Sequence, residues 1–217
     1  MGPVAVYAEG FLKMARSARK EAEIRKAALR LFVEKGYEGT STREIARLAG
    51  TAEGNLYRHF ASKTDLARKL FEACAERMGT ALQNALAGRE GPRSRLGALL
   101  VGMFEFALQE PEAFAYLQQL HRHPVIWNPP PAVVLPKTYF VAVIREGIHQ
   151  GAFRPVDPEL ATAWIVGMIQ HAFWFWRMGY VASLEGMVGQ TREAVFRMLE
   201  RTRPCAQEVV EATSASR

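Results

Sequence analysis

Apolar residues along this chain recur with the period of an α-helix, and no stretch shows the strict alternation of a half-buried strand. In the first well-patterned segment, Ile24, Ala27, Ala28, Leu31 and Phe32 fall at the i, i+3, i+4, i+7, i+8 spacing of an amphipathic helix, and Gly36 is placed to end it. Ser41 stands three residues before Glu44, the spacing of a capping box, so a helix of about two turns opens there and closes on Gly50. In the next short helical stretch Ala52, Leu56 and Phe60 recur every fourth residue, which predicts one narrow inward face. Ser62 and Asp65 repeat the capping-box relation ahead of a longer helix.

Beyond about residue 90 the pattern is helical throughout. Leu96, Leu99, Leu100, Met103, Phe106 and Ala107 mark one helix, and Pro111 and Glu112 open another towards His121. Residues 124–136 carry five prolines, which remove backbone donors and fix φ, so a loop is expected there. Asp157, Pro158 and Glu159 form a helix start, with an N-cap, a first-turn proline and an acid at the positive end of the dipole. A last helix is expected from about Thr191 to Arg203, with a polar tail from Ala206. The fold class is all-α.

Charge adds a direction to this picture. The net charge is +6, and residues 1–70 hold 14 Lys/Arg against 8 Asp/Glu while the remainder is balanced at 14 against 14. A polyanion-binding N-terminal part on a neutral body is the reading this asymmetry favours. With 217 residues, 49% of them hydrophobic, the chain can bury a real core in one or two domains. Cys74 and Cys205 lack metal-type spacing, and His121 and His123 have no cysteine or carboxylate beside them, so neither a metal nor another cofactor is expected. The longest apolar run, residues 160–176, is short of about 20 residues and includes Gln170 and His171, which argues for a buried helix over a membrane span. A soluble, cytoplasmic protein is expected. Paired carboxylates and nucleophile motifs are missing, which disfavours an enzyme.

Three short helices with a glycine-containing turn between the second and third make a helix-turn-helix, whose second element of the pair enters the major groove. Asn55 has the chemistry to pair with adenine, Arg43 to reach guanine and Glu53 to accept from cytosine N4. Thr42, Tyr57, Arg58, His59 and Lys63 offer donors suited to phosphate oxygens. Gly54, costly inside a helix, falls on the outer face of the leading turn, where a missing side chain lets backbone and bases approach.

The stretches "AALRLFVEKGYEGTSTREIARLAG" and "EGNLYRHFASKTDL" resemble the DNA-binding domain of the TetR (tetracycline-repressor) family of bacterial regulators, from Ile24 to Leu66. The resemblance implies base contacts from Arg43, Glu53, Gly54 and Asn55, and phosphate contacts from Thr42, Tyr57, Arg58, His59 and Lys63. The chain departs from the common family pattern at Thr51 and Ala52, and alanine cannot supply the usual serine cap. The implied organisation is an N-terminal extension at 1–18, a DNA-binding domain at 19–66, a larger helical ligand-binding and dimerisation domain at 67–204 and a frayed tail at 205–217. The implied activity is that of a ligand-responsive repressor, released from double-stranded DNA by a small hydrophobic effector and acting as a homodimer on a near-palindromic operator. An architectural DNA-binding protein without an effector is the alternative. Leu160, Trp164, Met168, His171 and Phe175 share one face of their helix; Trp164, Met168, His171 and Phe175, with Met103, Phe106 and Tyr116, are the candidate effector-pocket residues.

Overall fold

The structure is a computed structural model that describes residues 3–120, 123 and 135–200, with side chains from Met14 onward. Among the described residues there are nine helices and no strand, as the periodicity predicts: α1 (Pro3–Lys35), α2 (Thr42–Leu48), α3 (Glu53–Leu56), α4 (Lys63–Leu86), α5 (Pro92–Gln109), α6 (Pro111–Leu120), α7 (Lys137–His149), α8 (Pro158–Arg177) and α9 (Glu185–Leu199). The chain packs as two compact units, one made of residues 1–78 and 109–134, the other of residues 79–108 and 135–217.

The first unit is built on α1. Ile24, Ala27, Ala28, Leu31 and Phe32 are all buried, and they share this core with Ile45 and Ala46 of α2, Leu56 and Phe60 of the third helical segment, and Leu66 and Leu70 of α4. Gly36 ends α1 in the left-handed region at φ 75°, where a Cβ is disfavoured. Thr40, buried just after it, shares its single hydroxyl hydrogen between the carbonyls of Gly36 at 2.8 Å and Leu31 at 3.1 Å, which ties the turn back to the end of α1. α6 belongs to this unit as well. The Tyr116 ring stacks on Phe32 at 5.8 Å, its hydroxyl donates to the Ala67 carbonyl at 2.9 Å, and Gln119 reaches the Val33 carbonyl at 3.2 Å.

In the second unit Leu96, Leu99, Leu100, Met103, Phe104 and Phe106 of α5 are buried with Phe140, Val143 and Ile144 of α7, Ile165, Ile169 and Phe173 of α8, and Val195 and Leu199 of α9. Gly147 lies so close to the Phe153 ring that a Cβ there would run into it. Asp157 caps α8, accepting from the backbone N–H groups of Glu159 and Leu160.

Three elements differ from the sequence expectation. α1 starts at Pro3, well ahead of the apolar repeat that opens at Ile24, so part of the expected 1–18 extension is helix. α9 opens at Glu185 rather than near Thr191; Ser183 accepts from the Gly186 N–H, and two poor helix formers, Gly186 and Gly189, mask the apolar pattern of that first turn. Ala52 is exposed rather than buried, because it is the extended N-cap of a four-residue helix and not a member of its inward face. Residues 124–134 of the expected proline loop, Trp127 among them, His121 and the tail from Cys205 lie outside the described residues, and Pro136 stands at the start of α7.

Candidate nucleic-acid interface

The local sequence sets the frame of the helix-turn-helix. At Ser41 both halves of the capping box are present: the Ser41 hydroxyl accepts from the Glu44 N–H, and the Glu44 carboxylate accepts from the Ser41 N–H. Lys35 completes this corner at 2.7 Å from Glu44, and the Lys35 ammonium with the Ser41 donors holds the Glu44 carboxyl down at about 2. Gly50 turns the chain at φ 60°, and Lys20 reaches from α1 to the carbonyls of Ala49 and Gly50 at 3.5 and 3.3 Å. α3 closes after Leu56; further turns through His59 and Phe60, both donating to the Leu56 carbonyl, return Phe60 to the core.

With Leu56 and Phe60 facing inward, the opposite face is polar and open. A Cβ placed on Gly54 would meet no atom within 4 Å, so the glycine leaves bare backbone on the outer surface. Arg43 and Arg58 are exposed and unpaired among the described residues. Tyr57 is 50% exposed. Thr42 donates its hydroxyl to the Glu53 carboxylate at 2.6 Å and lies 3.3 Å from the Tyr57 hydroxyl. Its only hydrogen being given to Glu53, Thr42 accepts from Tyr57, which turns the phenolic lone pairs outward. The Asn55 amide donates to the Thr51 hydroxyl at 2.9 Å, leaving its oxygen and second N–H open.

Two of the expected phosphate contacts are placed differently. His59 is turned towards α1, with its side chain only 10% exposed and its ring nitrogen 3.8 Å from Glu21, so it does not share the open face of Tyr57 and Arg58. Lys63 donates to the carbonyls of Tyr37 and Thr40 at 3.0 and 3.1 Å and sits over the Tyr37 ring, which leaves one ammonium hydrogen for another acceptor. It borders an open concavity of about 430 Å³ that Thr42 and Tyr57 also line. Lys20 and Arg25, which packs over Phe60, act across about 30 residues of sequence and leave no local signal to read.

The candidate effector residues are divided between the two units. Met103 and Phe106 are buried in the α5 core. Tyr116 belongs to the other unit, where its hydroxyl is already bonded to Ala67. Trp164 and Phe175 are 42% and 47% exposed, His171 is exposed with Nδ1 3.1 Å from the Gly167 carbonyl, and Met168 is half-buried between them. Periodicity placed these α8 residues on one face correctly, but that face looks out of the single chain rather than into a cavity. Among the described residues no group of three or more metal-type ligands forms, and no helix is long and apolar enough to cross a membrane.

A short, bare-backed helix carrying outward polar groups, braced by two helices at its rear, defines the chain as a helix-turn-helix protein, and comparison with known proteins agrees. Residues 24–70 match the model of the bacterial regulatory proteins, tetR family. The match covers the helix-turn-helix segment. The chain is 27% identical over 152 residues to the HTH-type transcriptional repressor KstR2 of Mycobacterium tuberculosis, covering 67% of this chain and 76% of that protein. With the HTH-type transcriptional regulator AcrR of Shigella flexneri it shares 35% identity over 103 residues, 45% of this chain and 48% of AcrR. Among solved structures, KstR2 of M. tuberculosis superposes with a TM-score of 0.68 at 24% identity over 83% of this chain and 95% of that one. FadR of Bacillus subtilis, solved with stearoyl-CoA, does so with a TM-score of 0.68 at 21% identity over 82% and 99%. At these identities the structural likeness shows the fold.

Proposed function

We propose that the protein is a homodimeric, ligand-responsive repressor that reads a near-palindromic operator through Arg43, Glu53, Gly54 and Asn55. The observation that carries this reading is the open face of the third helical segment, where Gly54 leaves bare backbone and the neighbouring Asn55 amide keeps a free donor and acceptor. Arg43 is matched to guanine, Asn55 to adenine, and the Glu53 carboxylate, steadied by Thr42, to cytosine N4. Tyr57, Arg58 and the remaining hydrogen of Lys63 serve the phosphates, while Thr42, expected to join them, keeps its hydroxyl hydrogen on Glu53; Tyr57 releases Thr42 when it donates outward. The repressor sense follows the kinship with KstR2.

Dimerisation is assigned to α8. Ala161, Ile165, Ile169, Ala172 and Phe173 satisfy its inner side, while Leu160, Trp164, Met168 and Phe175 remain as an apolar stripe on the other. A second copy laid on that stripe makes an isologous helix pair, and two heads so joined read half-sites roughly 34 to 36 Å apart or a multiple of that. The effector is a small apolar molecule; FadR, a neighbour in fold, is solved with stearoyl-CoA, a larger ligand of which the acyl chain is the apolar part. Release of DNA requires the effector to bind one arrangement of the heads better than the other. α6 is the element suited to carry that difference, because Tyr116 and Gln119 tie it to α4 and α1, the helices that brace the reading turn.

Binding-site selection from random duplexes with the purified protein, repeated with apolar compounds present, tests this reading. An enriched inverted repeat, lost in the presence of one compound class, is the expected result. Affinity that scarcely separates an enriched site from random duplex refutes sequence reading and favours an architectural role.

A further inference from the structure

We infer that Thr51 is a positioning residue for Asn55, fixing the plane of the amide that meets the base; the inference rests on the DNA-reading function proposed above. An asparagine pairs with adenine only when its oxygen and one N–H lie in the plane of the base edge. A free asparagine side chain turns about its last bond with little resistance, since that torsion has broad wells. Here it is held. The Asn55 nitrogen donates to the Thr51 hydroxyl at 2.9 Å, which leaves one oxygen and one N–H, the set that adenine requires.

The hydroxyl is itself carried on a rigid mount. Thr51 is β-branched and half-buried, so its side chain has few orientations. Its backbone N–H donates to the Ala46 carbonyl of α2 at 3.0 Å, and the preceding residue, Gly50, is held from α1 by Lys20. The brace therefore runs from α1 and α2 through the turn to the reading amide. Ala52, the N-cap, offers no side chain for this purpose, and its own cap bond is absent.

The test uses the full chain and a selected operator in which each base pair is replaced in turn. Asn55→Ala first identifies the base pair that Asn55 reads. Thr51→Val, which keeps the shape and removes the hydroxyl, is expected to lower discrimination at that same pair by about 2- to 12-fold, the factor set by one net hydrogen bond. Other pairs and the salt dependence of binding stay as in the wild type, and Thr51→Ser restores discrimination. In the free protein, the Asn55 side-chain N–H exchanges faster with solvent in Thr51→Val than in Thr51→Ser. Equal discrimination by Thr51→Val and wild type overturns the inference, as does a loss spread evenly over all pairs or a serine variant that behaves like valine. An Asn55→Ala protein that discriminates at every pair as the wild type does overturns the reading of Asn55 itself, a different result from failure at Thr51 alone.

Discussion

Replacing Gly54 by alanine separates what the glycine costs the free protein from what it contributes on DNA. The position has no positive φ, and a Cβ there meets nothing within 4 Å, so the free protein accepts the methyl without strain. A helix-interior glycine is worse than alanine by about 0.5 to 1 kcal/mol, and Gly54 is the second residue of the short α3, which places the gain near about 0.5 kcal/mol. For a chain of this size that is a rise in Tm of about 1 to 2 °C. On an operator the same methyl occupies space that backbone and bases share, and overfilling a close-packed contact costs about 1 to 3 kcal/mol, or roughly 5- to 150-fold in Kd. Thermal unfolding of the free protein and fluorescence anisotropy with labelled operator read the two effects, which have opposite signs. A Gly54→Leu variant enlarges the binding defect. If both variants bind operator as the wild type does, Gly54 does not face the duplex and the assignment of the reading face fails.

Trp164→Glu places a charge in the α8 stripe and is expected to shift the protein from twice its 24.3 kDa chain mass to the chain mass in light scattering; an unchanged dimer would move the interface elsewhere. Lys63→Ala is expected to flatten the salt slope of DNA binding by about one per site and also to lower the urea midpoint, because two carbonyls lose their donor. A lower midpoint with an unchanged slope confines Lys63 to bracing. Glu44 has a folded-state pKa depressed to about 2, so its stabilising contribution is complete above the usual glutamate value near 4.5 and fades as the pH falls towards 2. Wild type and Glu44→Gln should therefore differ at pH 7 and converge at pH 2 in urea unfolding, whereas parallel curves would show that the capping-box charge contributes nothing.

Much of the DNA-binding head is legible without coordinates because its determinants are local. The capping box at Ser41 and Glu44, the left-handed glycines 36 and 50, and the apolar period of α1 each act within a few residues, and the structure carries each of them. Where the reading slipped, short range was the reason. The period through Ala52, Leu56 and Phe60 assumes one unbroken helix, yet α3 spans only four residues, so Ala52 falls outside its frame. His59 and Lys63 carry suitable donors, but which way a donor points depends on Glu21, Tyr37 and Thr40, all more than 20 residues away.

The α8 face makes the same division plain. Spacing alone established that Leu160, Trp164, Met168, His171 and Phe175 lie together, since 3.6 residues per turn is a property of the backbone. Whether that face closes a cavity or looks outward depends on which neighbours pack against the opposite side, and Ala161, Ile165, Ile169 and Phe173 take the interior. Amino-acid order determined the helices, their caps and the basic head, through interactions that span one or two turns. Packing decided the orientation of His59 and Lys63 and the reach of Lys20 to Gly50, because those contacts exist only once distant segments share a core.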